Sequence, residues 1–334
     1  MTHVSGIHHI SAISTDPQRS VDFYAVTLGL KLVKQTVNFD DPKTYHLYFG
    51  DEAGTPGTIM TFFPWPNGRR GRIGPGQVAV TSFAVLPEAT AFWVQRLLAN
   101  GVGYDMPSRR SFDGTQETVL AFRDPDGMML EIVAHPDAHT LPARDATREI
   151  PEKHAIRGFH GATLWVESEE PTARVLMEIL GYVEAGEHQG AHRFSTRERQ
   201  AGVVDLRITG GFPRGTQGTG TVHHIAFRVP DSVAQLTLRQ AAESAGLKPT
   251  LQIDRKYFRS VYFREPGGIL FELATDGPGF AVDEAADSLG ESLMLPLQYE
   301  ARRAQIEAAL PAINVPRVSD GKGLLGMAED ASQF

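Results

Sequence analysis

Two near-identical segments, Gly6-Ile7-His8-His9-Ile10 and Thr221-Val222-His223-His224-Ile225, each present a histidine doublet, and Phe271-Glu272-Leu273 follows the second. One imidazole from each doublet together with the Glu272 carboxylate makes a metal-binding set. In an extended strand neighbouring side chains point to opposite faces, so at most one member of each doublet is a direct ligand to a given site. Apolar flanks place all three groups in β-rich runs, where a ladder rather than a loop would hold them. Three protein ligands leave coordination positions open. That suits non-haem Fe(II) chemistry with O2 better than a closed structural zinc site, which uses four ligands and often cysteine. The chain has no cysteine at all, which also removes disulfides and a thiol nucleophile.

The elements that must position these groups recur four times along the chain. Residues 6–64, 76–135, 157–213 and 220–276 each read as a strand, a helix and three further strands. The helical segments fall near 17–24, 89–98, 172–180 and 233–245, with Gly181 and Gly246 as stops. Asp124-Pro125-Asp126-Gly127 and Glu265-Pro266-Gly267-Gly268 are matching turns before the last strand of the second and fourth units. Such units group as an N-terminal pair in 1–145, a C-terminal pair in 146–280, and a C-terminal helix and tail in 281–334. Matched first-strand and last-strand positions are His9 with Thr61, Val80 with Glu131, His160 with Arg207, and His224 with Glu272. If units one and four share a barrel, it offers His9, His224 and Glu272. If three and four share one, it offers His160, His224 and Glu272.

Composition sets the outer bounds. A length of 334 residues with 41% hydrophobic content allows more than one core, and 33 glycines with 21 prolines imply many turns. The net charge of −8 gives no attraction to nucleic acid, and Arg69-Arg70 and Arg109-Arg110 read as solvated loop charges. No run approaches the roughly 18 apolar residues of a membrane span, and Met1-Thr2-His3-Val4-Ser5-Gly6 is no signal peptide. A cytoplasmic protein, monomeric or homo-oligomeric, is the default expectation.

A βαβββ unit repeated four times, with histidine on first strands and glutamate on last strands, resembles the vicinal oxygen chelate superfamily of glyoxalases, bleomycin-resistance proteins and extradiol dioxygenases. The resemblance implies an α+β fold in which four βαβββ modules pair into two incomplete barrels. The run 45–58, opening Tyr45-His46-Leu47-Tyr48-Phe49-Gly50, Arg157-Gly158-Phe159-His160, Asp254-Arg255-Lys256 with Ser260-Val261-Tyr262, and Asp283-Glu284 with Ser288-Leu289-Gly290 are similar to the hydroquinone-type ring-cleaving dioxygenases. That likeness implies Fe(II), with Mn(II) or Zn(II) as alternatives, held by His9, His224 and Glu272. It implies a small aromatic substrate and O2. It places Tyr262 and Arg255 against the substrate and gives His8 an acid/base role beside it, leaving Glu131 and His160 as remnants of a second site.

Each of these residues also has a plainer explanation. His223 is read as structural, Arg255 as a surface ion pair if not a substrate contact, and His46, His188 and His192 as loop or solvent residues, with His46 able to face the pocket. Tyr262 stands opposite Glu272 only if a five-residue connection joins their strands. Residues 298–310 read as an amphipathic helix ended by Pro311, and those after about 315 as a tail. Two other functions use the same scaffold: a metal-dependent glyoxalase-like lyase or isomerase, and a non-catalytic binding protein of the bleomycin-resistance type.

Overall fold

A computed structural model describes residues 2–145, 147, 149–197 and 201–315; the tail expected after 315 lies outside the described residues. The first unit contributes β1 (Ile7–Ser14), α1 (Pro17–Val21), β2 (Lys31–Val37), β3 (Tyr45–Gly50) and β4 (Ile59–Pro64). The second supplies β5 (Gln77–Val85), α2 (Thr90–Ala99), β6 (Ser108–Phe112), β7 (Thr115–Arg123) and β8 (Met129–Ala134). The third has β9 (Phe159–Val166), α3 (Glu170–Arg174), β10 (Val183–His188), β11 (Ala191–Ser195) and β12 (Val203–Ile208). The fourth has β13 (Thr221–Val229), α4 (Ser232–Ser244), β14 (Ile253–Asp254), β15 (Arg259–Arg264) and β16 (Leu270–Thr275). A short α5 (Arg303–Ala309) follows.

These strands form two eight-stranded sheets, ordered β14-β15-β16-β13-β1-β4-β3-β2 and β10-β11-β12-β9-β5-β8-β7-β6. Each is an incomplete barrel. The first joins units one and four, the second units two and three, so each sheet draws on both the 1–145 and the 146–280 halves of the chain. Units one and three share a local device: their helices end in a wide turn, closed by Leu28 N–H on the Phe23 carbonyl in one and by Gly181 N–H on the Leu176 carbonyl in the other. Gly181 adopts φ +82°, the left-handed stop expected of it.

The two turns identified in the sequence fasten the units together. Asp124 accepts hydrogen bonds from the backbone N–H of Asp126 and Met128 and from the Tyr24 hydroxyl of the first unit. Burial pushes the Asp124 carboxyl up to about 6. Glu265 accepts from the N–H of Gly267 and Ile269 and from the Thr172 hydroxyl of the third unit. Helices of odd-numbered units thus dock on turns of even-numbered ones, which ties the two sheets to each other.

A β-bulge lies at both histidine doublets. Between β1 and β13, Ile7 faces Phe227 but His9 faces Ala226, so His8 is the extra residue; Ser11 faces His224 but Ala12 faces Val222, so His223 is extra. The second sheet repeats the pattern between β5 and β9, with Ala79 and His160 as the extra residues.

The C-terminal segment packs across the first barrel. Phe280 and Leu289 join Tyr48, Ile59, Ala226, Tyr257, Phe258 and Ala274 in an apolar cluster. Lys34, fully buried, is paired with Asp283 at 2.7 Å and with Glu284, and Lys256 reaches Asp283 at 2.5 Å. The Tyr299 hydroxyl donates to the Phe39 carbonyl at 2.8 Å, which pins the 38–40 loop to the segment leading into α5. Among the described residues no helix is long and apolar enough to cross a membrane.

Candidate metal centre

The side chains of His9, His224 and Glu272 converge inside the first barrel, with their ligand atoms within 4.8 Å of one another. His9 Nε2 lies 3.2 Å from His224 Nε2 and 3.3 Å from Glu272 Oε2, and His224 Nε2 lies 2.9 Å from the same oxygen. All three residues are buried, Glu272 completely. Their strands adjoin in the order β16-β13-β1. Ala226 faces Glu272 across one ladder and His9 across the other, which sets the three groups on the concave face.

The proton inventory of His9 shows what this cluster suits. His8 Nε2 lies 3.1 Å from the Thr275 carbonyl oxygen, which can only accept, so His8 carries its proton there. Burial holds the His8 pKa well below its usual value, so the ring is neutral and its Nδ1 is an acceptor. The His9 Nδ1–H then donates across the 2.9 Å contact to His8 Nδ1, which leaves His9 Nε2 as the nitrogen that faces Glu272 and His224. Burial would raise the Glu272 carboxyl, but the two histidines hold it well below the usual carboxylate range. Neither Glu272 oxygen receives a directed hydrogen bond. Two imidazole nitrogens and one carboxylate oxygen crowd together out of contact with water, and a set of two nitrogens and one oxygen suits Fe(II), Mn(II) or Zn(II).

The bulges also correct two readings of the sequence. The rings within each doublet do not point to opposite faces; they meet edge to face, 5.1 Å apart in both pairs, because the extra residue breaks the two-residue period. His8 therefore sits behind His9, packed against Phe258 at 5.1 Å with both nitrogens engaged. It does not line the cavity and has no free nitrogen for acid/base work on a substrate. His223, by contrast, lines the cavity beside His224, with their Nδ1 atoms 2.8 Å apart.

A cavity of about 350 Å³ opens onto the cluster, walled by Phe63, Trp65, Phe258 and Leu270, with Tyr262, Arg255 and Tyr48 as polar groups. Tyr262 lies directly across from Glu272 because residues 265–269 form the five-residue connection between β15 and β16, and its ring meets His224 edge to face at 5.6 Å. Burial and the nearby Glu272 push the Tyr262 hydroxyl well up, with Arg255 opposing them, so it stays protonated at neutral pH. Arg255 reaches Asp40 at 3.5 Å across the mouth and lies 5.7 Å from the centre of the Tyr262 ring; it is both an ion pair and a cavity wall.

His46 is a wall residue as well, not a solvent group. Its ring lies 4.1 Å from those of Tyr48 and Phe63, with Nδ1 2.8 Å from the Tyr48 hydroxyl and Nε2 2.9 Å from Thr61 Oγ1, which is 2.8 Å from Ser11 Oγ. Thr61 occupies the fourth corner of the site, and these hydrogen bonds engage its hydroxyl away from ligand duty. His46 and Tyr48 stand two apart on β3; that alternation was the available signal for a shared wall. His188 and His192 lie on strands β10 and β11 rather than in loops, and His192 pairs with Glu169 at 3.1 Å.

The second sheet answers differently at the matching positions. Aligned through the bulges, His9, Thr61, His224 and Glu272 correspond to Val80, Glu131, Gly161 and Asp205. The sequence pairing of His160 with Arg207 therefore slips: His160 is the bulge residue that matches His223, and Arg207 is exposed two positions beyond Asp205. A Cβ at Gly161 would lie 2.4 Å from the Val203 carbonyl oxygen, so no ligand side chain fits there. Arg193 donates to both Asp205 oxygens at 2.7 and 2.9 Å and to Glu117, which also meets His160 at 2.9 Å. Arg110, on strand β6 rather than in a solvated loop, reaches Glu131 at 3.1 Å and Glu117 at 3.4 Å. Two guanidiniums supply the positive charge on this face.

Comparison with known proteins agrees with this architecture. Residues 6–132 match the family model of the Glyoxalase/Bleomycin resistance protein/Dioxygenase superfamily. The chain is 49% identical to the Bacillus subtilis protein named "Putative ring-cleaving dioxygenase MhqO", over 91% of this chain and 95% of that one. It is 33% identical to the chlorohydroquinone/hydroquinone 1,2-dioxygenase of Sphingobium indicum, over 89% of this chain and 93% of that one. A Bacillus subtilis crystal structure described as a "putative dioxygenase" superposes with a TM-score of 0.86 at 46% identity, covering 95% of this chain and all of that one. With four modules, two incomplete barrels and relatives that align over nine-tenths of its length, the chain belongs to the glyoxalase/bleomycin resistance protein/dioxygenase superfamily, among its ring-cleaving dioxygenases.

Proposed function

We propose that this protein is an Fe(II)-dependent dioxygenase that opens hydroquinone-type rings, plain or substituted. The observation that carries this reading is the convergence of His9 Nε2, His224 Nε2 and the buried Glu272 carboxylate at the floor of an aromatic-lined cavity. The relative named as a hydroquinone dioxygenase supplies the substrate class. Thr61 at the fourth corner favours an open three-ligand set over a four-ligand glyoxalase-type centre.

Fe(II), held by His9, His224 and Glu272, would supply the redox chemistry that lets O2 react with an aromatic ring. The chain's own groups do the rest. Phe63, Trp65, Phe258 and Leu270 bound a site wide enough for one ring and shed water from it. Tyr262, kept protonated, donates a hydrogen bond to a substrate oxygen, and the Arg255 guanidinium favours the deprotonated form of a phenolic hydroxyl. In the overall reaction both atoms of O2 enter the product. The bond between the hydroxyl-bearing carbon and its unsubstituted neighbour breaks; the first carbon becomes a carboxyl group and the second an aldehyde, with no outside electrons required. A carboxyl formed in this way loses its proton at neutral pH.

The test is O2 uptake by anaerobically prepared, Fe(II)-loaded protein with hydroquinone and its chlorinated and methylated derivatives. Uptake that yields a ring-opened acid is expected. No uptake across that panel from protein shown to hold iron would overturn the reading.

A separate expectation concerns His8. Its Nδ1 fixes the tautomer of His9, so His8→Ala should weaken Fe(II) or Zn(II) binding by about 10–100-fold without removing any cavity group. Metal titration monitored by competition with a chelator measures this, and unchanged affinity would remove the positioning role.

A further inference from the structure

A second hollow of about 370 Å³ adjoins the metal cavity, and the two share His223 and Leu270 as common wall. The strand register explains why they run together. Arg264 stands two residues from Tyr262 on the same face of β15 and faces Leu270, just as Tyr262 faces Glu272. One step outward along the concave face thus replaces a carboxylate and a tyrosine with a leucine and an arginine.

This hollow is built for an anion. Arg264 donates through Nη1 to the Gly268 carbonyl at 2.8 Å, which fixes the guanidinium while its other nitrogens stay available. Arg214 donates to the Gly267 carbonyl, and among the described residues its one carboxylate contact is with Glu167 at 3.6 Å, a pair in which both side chains are more than half exposed. Exposed pairs of this sort contribute about 0–1 kcal/mol and exchange readily for another anion. Gln77, 5% exposed, lines the hollow with neither its amide nitrogen nor its oxygen hydrogen-bonded. A buried amide without a partner requires an explanation, and a ligand is one. Gly76, Gly215 and Gly268 leave backbone exposed around these groups; a Cβ at Gly215 would lie 2.4 Å from the Gln77 side chain, and one at Gly268 would lie 2.2 Å from Arg214. Among the described residues no aspartate or glutamate lines the hollow, although the chain as a whole carries a net charge of −8.

We infer that Arg264, Arg214 and Gln77 form a carboxylate-binding vestibule that receives the acid end of the ring-opened product as it leaves the metal cavity. The assignment of the carboxylate to product rests on the proposed ring cleavage; the anion site itself does not. A neutral hydroquinone gains nothing from these arginines, whereas a six-carbon chain with a terminal carboxylate can reach from one hollow into the other.

The test is calorimetric titration of metal-loaded protein, kept anaerobic, with cis,cis-muconate as the probe, for wild type, Arg264→Ala, Arg264→Lys and the Arg264→Ala/Arg214→Ala double variant. Loss of a charge-assisted hydrogen bond predicts a Kd roughly ten to a hundred times higher for Arg264→Ala, further loss in the double variant and partial recovery in Arg264→Lys. The same variants should keep kcat/KM for hydroquinone and show weaker inhibition by the ring-opened acid. If muconate binding ignores Arg264 but binding of 2,5-dihydroxybenzoate depends on it, the vestibule reads a carboxylate carried by the intact ring, and the product assignment is overturned. Equal muconate affinity in wild type and double variant, with no dependence for either acid, would overturn the site whatever the enzyme's activity.

Discussion

Glu272→Gln should cost nearly all metal affinity and O2 uptake and should also lower the neutral-pH stability of the metal-free protein. The two effects share one cause. Glu272 is a fully buried carboxylate that His9 and His224 hold well below the usual carboxylate range. Without metal those two imidazoles favour the charged form in the fold, and an amide in its place loses their attraction. Glutamine keeps the shape and removes the charge, but a neutral amide is a poor ligand for a divalent ion. Removing a charged ligand from a three-ligand set is worth several kcal/mol, so activity should fall by about 10³-fold or more. Metal titration, O2 uptake and the melting temperature of metal-free protein read the three consequences. A Gln variant that holds Fe(II) and turns over normally would sink the assignment of Glu272 as a ligand.

The largest stability effect should come from the other sheet. Arg193→Met leaves Asp205 and Glu117 facing each other in a buried setting without the guanidinium that bridges them. Breaking a buried pair by removing one partner typically costs about 3–5 kcal/mol. At roughly 2–4 °C per kcal/mol for a chain of this order, the melting temperature should drop by about 6–20 °C. The sign of its pH dependence is fixed too. Burial would raise the Glu117 carboxyl, but His160, Arg110 and Arg193 together hold it well below the ordinary range. A carboxylate depressed in the folded state stabilises above its unfolded pKa, near about 4.3, and that contribution fades as pH falls below it. The gap between wild type and Arg193→Met should therefore be widest near neutrality and narrow only below about pH 4, as pH falls towards the depressed folded-state value. Metal affinity should not change, since no group of the metal site is touched. An Arg193→Met protein as stable as wild type at pH 7 would refute the bridging role.

Much of the first site could be read from the chain because its signal is redundant. His9, His224 and Glu272 recur at matched positions of a repeated unit, so the family resemblance and the fold bring the same three residues together. Part of what the sequence misplaced follows from two-residue periodicity failing at bulges. A single inserted residue changed the side on which His8 lies and let His160 stand in for Gly161. Arg207 stood in for Asp205 because the third unit is shorter, with 44 residues from Gly161 to Asp205 against 48 from His224 to Glu272. Arg110 looked like a loop charge because its partners, Glu117 and Glu131, come from strands β7 and β8 that only the folded sheet brings beside it. His46 lacked a repeat partner, and its wall position depends on β3 pairing with β4 to reach Thr61.

The order of the strands also sets a schedule for synthesis. His9 and His224 touch although 215 residues separate them. The second sheet is complete once residue 208 has emerged, because both of its units are contiguous in the chain. At that moment the nascent protein carries one of the three converging side chains, on a strand whose antiparallel neighbour has not been made. The inner half can pack first, and β1 must wait for β13, and then β16, to arrive before any ion could be captured. A chain interrupted between the two halves is therefore metal-blind, and iron entering early would find only a lone histidine.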